Sequence, residues 1–216
     1  MSSQRILFSI ITAAAIAAPL TGQAITAADA FVKAPHSVLP LIEESTRLDM
    51  IDYFNAGSER ASRNTLYGNS RITSLTPEHI VLEVTAASTM EMVTLPLTSS
   101  SADSVIVVIH TVATPVPDSK VTLYNKSWEP ISGGVFTAPG IDQWLKPDSG
   151  RSGRDEVEAL LPFMLTSCSY DAATKSFVFT NRSAEFLSEE VYEPIKMYLQ
   201  NKLVYTWDGK RLALRK

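Results

Sequence analysis

The amino-acid sequence predicts an α+β protein, an antiparallel sheet or sheets with helices packed on one face. Three observations lead there. Short runs of β-branched and aromatic residues, bounded by turn residues, recur along the chain. Helical periodicity is limited to a few stretches between them. One order of elements (helix, hairpin, intermediate segment, hairpin) occurs twice, which predicts two tandem helix-plus-hairpins halves.

Residues 1–30 come first. Arg5 precedes the uncharged apolar run ILFSIITAAAIAAPL (residues 6–20), and small-x-small patterns end at Ala24 (GQA) and at Ala30 (ADA). The run is short for a bilayer span of about 20 residues, and no cluster of Lys or Arg follows it. A cleaved secretory signal is expected, with cleavage after Ala24 or Ala30 and no transmembrane segment in the mature chain. No cysteine lies near either point, so a lipid anchor on an N-terminal cysteine is not expected. An exported destination is expected.

A helix is expected over residues 37–57. Ser37 can cap it, Pro40 fits a first turn whose amides have no intrahelical partner, and Gly57 sits where a left-handed C-terminal cap belongs. Leu41, Leu48 and Ile51 share one face, widened by Met50 and Phe54. SRITSLTPEHIVLEVTAA (70–87) reads as two strands joined by a turn that Pro77 presets. MEMVTLPLT (90–98) is a further strand, expected near a sheet edge because Pro96 gives up an amide. SVIVVIHTV (104–112) is apolar almost throughout, so both its faces should be covered; TPVPDS then turns the chain into KVTLYN (120–125) as its antiparallel neighbour.

Residues 132–153 hold five of the nine glycines, which marks a connection between halves at 31–131 and 154–216. The second half opens with a helix at RDEVEALLPFMLT (154–166), Asp155 and Glu156 opposing its positive dipole end and Pro162 kinking or ending it. SCSYD and SFVFTN form a hairpin over AATK. Residues 184–199 are part helical, and a closing hairpin turns on Asp208-Gly209.

Charge and cysteine usage narrow the function. The chain carries 19 basic and 23 acidic residues for a net charge of −4. Cleavage after Ala30 would remove Arg5 and Asp29 and leave that balance unchanged. Mild acidity without a dense basic run argues against nucleic acid or an anionic membrane as partner. Cys168 is the only cysteine, so no internal disulfide can form and the core alone must hold the fold.

Candidate chemistry is thin. Asp49 and Asp52, one helical turn apart, supply only one edge of a cation site, which needs ligands converging from several directions; with Arg47 in reach of Glu43 or Glu44, a solvated helix face is the plainer expectation. His36, His79 and His110 have no second histidine or cysteine at metal-ligand spacing, so no metal or cofactor is expected. His110 shares strand parity with Ile106, Val108 and Val112. It is either a histidine hydrogen-bonded near a strand end or, with Asp118 or Ser119, the centre of a hydrolase that lacks a GxSxG elbow. Cys168 follows a helix C-terminal end, the wrong sign for a reactive thiolate, and reads as a structural thiol. SGRSGRDE places Arg151 and Arg154 by a helix N-terminus, a loose anion-binding pattern without Walker spacing. Phe136, Ile141 and Trp144 lie in the same connection, where aromatic residues either fold back on the core or meet a partner. The positions to watch for partner or ligand contact are therefore Phe136, Trp144, Arg151 and Arg154.

RLDMIDYFNAG, GNSRITSLTPEHIVLEVTAASTMEMVTLPL, VIVVIHTVATPVPDSKVTLYNKSWEPI and LVYTWDGKRL together resemble a family of exported Bacteroidetes proteins catalogued as a domain of unknown function. The resemblance spans nearly the whole mature chain, carries no activity, cofactor or catalytic residue, and implies the periplasm or cell surface of a Gram-negative bacterium as the destination. Its element order is also similar, by analogy of fold alone, to PepSY-like and beta-lactamase-inhibitor-like architectures. Two functions follow as expectations: a non-catalytic envelope module that binds a protein, peptide or small ligand, and a periplasmic hydrolase built on His110.

Overall fold

The computed structural model describes residues 24–58 and 60–215; the apolar run of residues 6–20 lies outside the described residues. The chain opens with α1 (Ala27–Lys33) and α2 (Glu44–Asn55). Six strands follow: β1 (Ser62–Arg63), β2 (Asn69–Leu75), β3 (His79–Thr85), β4 (Ser88–Leu97), β5 (Ser100–Val112) and β6 (Asp118–Tyr124). They pair antiparallel in sequence order. Next come α3 (Ile141–Trp144), α4 (Gly150–Leu160), β7 (Thr166–Asp171), β8 (Ser176–Asn181), α5 (Ser183–Phe186), α6 (Glu189–Lys196), β9 (Lys202–Trp207) and β10 (Leu212–Leu214). The last four strands form a second antiparallel sheet, ordered β10-β9-β8-β7. The architecture is α+β, as expected.

Period-two alternation sorts the six-stranded sheet into two faces. Ile80, Leu82, Met92 and Ile106 lie on one, packed with Phe31, Ile42 and Met50 of the α1–α2 region. Val93, Leu95, Val107 and Ile109 lie on the other, packed with Phe177, Phe179, Leu203 and Tyr205 of the four-stranded sheet. The central strands β4 and β5 are thus covered on both sides, which is why residues 104–112 can be apolar almost throughout. Each such side chain contributes about 1.5–3 kcal/mol by leaving water.

The first helix is shorter than residues 37–57. It starts at Glu44, because the preceding segment wraps Leu39 and Ile42 into the core as non-helical chain. Its inward face is Arg47 and Met50, whereas Leu48 is 51% exposed. Arg47 does not pair with Glu43 or Glu44. It is buried, and it donates to the carbonyls of Ile42 (2.8 Å), Val32 (3.0 Å) and Ala34 (2.5 Å), taking up the orphan carbonyls at the end of α1.

Pro96 does not place its strand at an edge: β4 is central, and Pro96 falls at its very end, at an irregularity in the pairing with β5, where a missing amide costs little. The second helix begins at Gly150, so Arg151 and Arg154 lie inside it and Asp155 is past its first turn. Gly153 allows this close packing, since a Cβ there would sit 2.6 Å from the Tyr198 ring. The closing hairpin turns over residues 208–211, with Leu212 facing Trp207, a longer loop than a two-residue turn. The expected boundaries at residues 30/31 and 153/154 fall within α1 and α4, and both sheets share one core.

Candidate functional site

The hydrolase residues do not converge. In the β5–β6 register His110 faces Lys120 and Thr111 faces Ser119, so His110 and Ser119 project from opposite faces of the sheet. His110 is exposed, and no hydrogen bond engages its ring among the described residues. Partial burial and then the Lys120 charge lower its pKa.

Asp118 and Ser119 serve another purpose. The Thr166 amide donates to Asp118 Oδ1 (3.0 Å), the Cys168 amide to Ser119 Oγ (2.9 Å), and the Tyr170 amide to Glu91 Oε2 (3.1 Å). Alternate amides along one edge of β7 are thereby capped by side chains of the first sheet. His79 Nε2 meets the same Glu91 oxygen at 2.9 Å, and its ring stands edge-on to Tyr170. This buried His79–Glu91–Tyr170 seam escaped the sequence reading; the one local signal was period-two alternation, which sets both polar side chains on a single sheet face. Cys168 beside it is buried, and burial, then the Glu91 charge, push its thiol up, away from a nucleophilic thiolate.

The four positions singled out for contact are dispersed. Trp144 is wholly buried, and its indole N–H has no partner among the described residues. Phe136 folds back onto Phe179 and Tyr205, with ring centroids 6.1 and 5.9 Å away. Arg151 is exposed on α4. Arg154 is held by Asp142 (2.5 Å) and Glu158 (3.3 Å), and the Asp142 carboxylate raises its pKa. Asp49 and Asp52 face solvent on α2.

The surface best formed to receive another molecule lies at the β1–β2 end of the larger sheet. β1 stops after two residues, and among the described residues no backbone hydrogen bond beyond the β3 pairing engages residues 72–75 of β2. Between that edge and the C-terminal end of α2 runs a groove of about 450 Å³, walled by Met50, Tyr53, Phe54 and Ile72. Arg60 rests over the Tyr53 ring at 5.1 Å. Arg71, gripped in two-pronged fashion by Glu83 (2.6 and 3.0 Å), separates it from a second groove of about 500 Å³ lined by Asn64, Leu66 and Thr85. That grip holds the Glu83 carboxyl below its ordinary range.

The loop that borders the second groove is fixed from beneath. Buried Asn64 accepts from the amides of Leu66 (3.1 Å) and Gly68 (3.0 Å) and donates to Ser70 Oγ and to the Val84 carbonyl. Asn64 thereby pins the turn that displays Leu66 and Tyr67, 66% and 83% exposed, with Tyr67 at a φ of 59°. Phe163 and Phe186 are also exposed, but their rings cover each other at 5.9 Å. None of this was visible in the sequence, where Leu66 and Tyr67 sit in a polar stretch without periodicity.

A sequence profile described as Protein of unknown function (DUF3256) matches residues 20–212. The chain belongs to the DUF3256 family. This DUF3256 chain is similar in structure to a solved domain of an uncharacterized protein from Porphyromonas gingivalis W83, with a TM-score of 0.74 at 24% identity, over 87% of this chain and 96% of that one. That likeness carries the fold alone and lends no support to the PepSY-like or beta-lactamase-inhibitor-like analogy. Among curated proteins the sequence finds no match.

Proposed function

We propose that this protein is an exported, non-catalytic interaction module of the cell envelope that takes up a polypeptide along the open edge of β2. The observation that carries the reading is the open edge of β2 at residues 72–75 beside its groove, with Leu66 and Tyr67 displayed on a pinned turn at the other end of the same strand. An extended segment adding to β2 would satisfy the free backbone groups of residues 72–75 and place one side chain against Met50, Phe54 and Ile72. Tyr67 stands on a pinned backbone, and a tyrosine side chain with two rotatable bonds loses little entropy on contact. Arg60 and Arg63 have no carboxylate partner among the described residues and favour an acidic segment. Export follows from the N-terminal pattern of the sequence.

The test is photo-crosslinking in cells, with a photoreactive phenylalanine analogue at position 67 or, as a control, at exposed Lys210. A discrete adduct from position 67 and none from position 210 is expected. Thr73→Trp, which fills the groove, and Arg60→Glu should each reduce the adduct at unchanged melting temperature. Equal yields from the two positions would remove the basis of the reading.

A further inference from the structure

The structure separates two processing sites that are equivalent in the sequence. Resting on the export reading above, we propose that the leader is removed after Ala24, so that the mature protein begins at Ile25, and that the second small-x-small pattern, ending at Ala30, is not used.

Residues 25–31 are part of the folded core. Ala27, Ala30 and Phe31 are fully buried against the first sheet, and Ile25 packs beside them. Thr26 caps α1, its hydroxyl accepting from the Asp29 amide at 3.1 Å, and the Ala27 amide donates to the Pro77 carbonyl at 2.9 Å in the β2–β3 turn. The far end of α1 supplies the carbonyls of Val32 and Ala34 to buried Arg47. A cut after Ala30 would remove the cap, the Pro77 bond and two buried alanines, leaving Phe31–Ala34 as a stub too short to hold a helical turn. The β3 and β4 side chains against which α1 packs would lose part of their cover, and the guanidinium its ordered acceptors. A cut after Ala24 spares all of these contacts: Ala24 itself is exposed, and α1 with its cap stays whole. Ala24 also lies closer to the apolar run of residues 6–20, with three residues between them against nine for Ala30.

The experiment uses the full chain of residues 1–216, produced in a Gram-negative host and recovered from the periplasm, read by intact mass and N-terminal sequencing. The expected species begins at Ile25. A species beginning at Phe31 overturns the placement while export stands; a chain retaining Met1 in the cytosol overturns the export reading and this proposal with it. Two variants give a second measurement before folding intervenes. Ala24→Leu puts a bulky residue at the chosen bond and should accumulate precursor or shift the cut, whereas Ala28→Leu burdens only the other pattern and should leave the Ile25 terminus unchanged. The reverse pattern would overturn the proposal.

Discussion

Arg47 is the residue whose environment departs furthest from its chemistry. Its guanidinium is buried, has no carboxylate within ion-pair distance among the described residues, and is neutralised in effect by backbone carbonyls of α1 and the α1–α2 connection. Burial pulls its pKa below the ordinary value, partly offset by Glu44 and Glu43. Arg47→Met should cost roughly 3 kcal/mol or more in a denaturant titration, since it strands several acceptors at once. Arg47→Lys should rescue only part of that, because an ammonium cannot spread its donors over a planar fork; full rescue would mean that charge alone matters. His110 is a smaller case with a defined sign. Its folded pKa lies below its unfolded one, so its share of stability is complete above about pH 6.5 and is lost as pH falls through the depressed folded value. His110→Gln should flatten the fall in melting temperature between neutral and mildly acid pH; an unchanged slope would rule this contribution out.

Among the elements, β7 shows how an edge can be closed without another strand. Its outward amides at Thr166, Cys168 and Tyr170 find Asp118, Ser119 and Glu91, which leaves no ready row of donors for a second chain. Asp118 and Ser119, two of the residues expected of a hydrolase, join the two sheets here. Ser119→Ala should therefore destabilise the fold by about 1–3 kcal/mol, the cost of an unsatisfied buried amide, measurable by thermal denaturation. Any hydrolytic turnover of the purified protein that disappeared with this variant at unchanged stability would point to the other role. The contrast with β2 is physical: one edge is capped by side chains, and the other stays open beside a groove.

At the scale of the whole molecule, one core serves both sheets. Val107 and Ile109 on β5 pack with Phe177 and Phe179 on β8 and with Leu203 on β9. Trp207 Nε1 donates to the Pro96 carbonyl at 2.7 Å, and the Thr98 amide to the Gly209 carbonyl at 3.0 Å, which locks the two hairpin ends. Unfolding should be a single calorimetric transition. Phe179→Ala should lower it by about 3–5 kcal/mol without splitting it. Two separated transitions would show that the sheets hold themselves independently.

Short-range properties explain how much could be read from the chain. Alternation, turn residues and apolar content act between near neighbours, and they gave the α+β class, most strands, the coverage of residues 104–112 on both faces, and the hairpins at residues 70–87 and 167–181. The start of α2 lies at Glu44 because Leu39 and Ile42 reach the core from non-helical chain, and its inward face pairs Met50 with an arginine, which apolar periodicity does not detect. The candidate site was hidden for a related reason: Leu66 and Tyr67 gain meaning only from Asn64 pinned beneath them and from a β1 too short to close the edge. The seam of Glu91 and Tyr170 joins residues 79 apart, and the Trp207–Pro96 bond spans 111. Which distant side chains share a face, which edge is capped and which stays open depend on how the sheets stack, and stacking is a sum over the whole core that no local stretch contains.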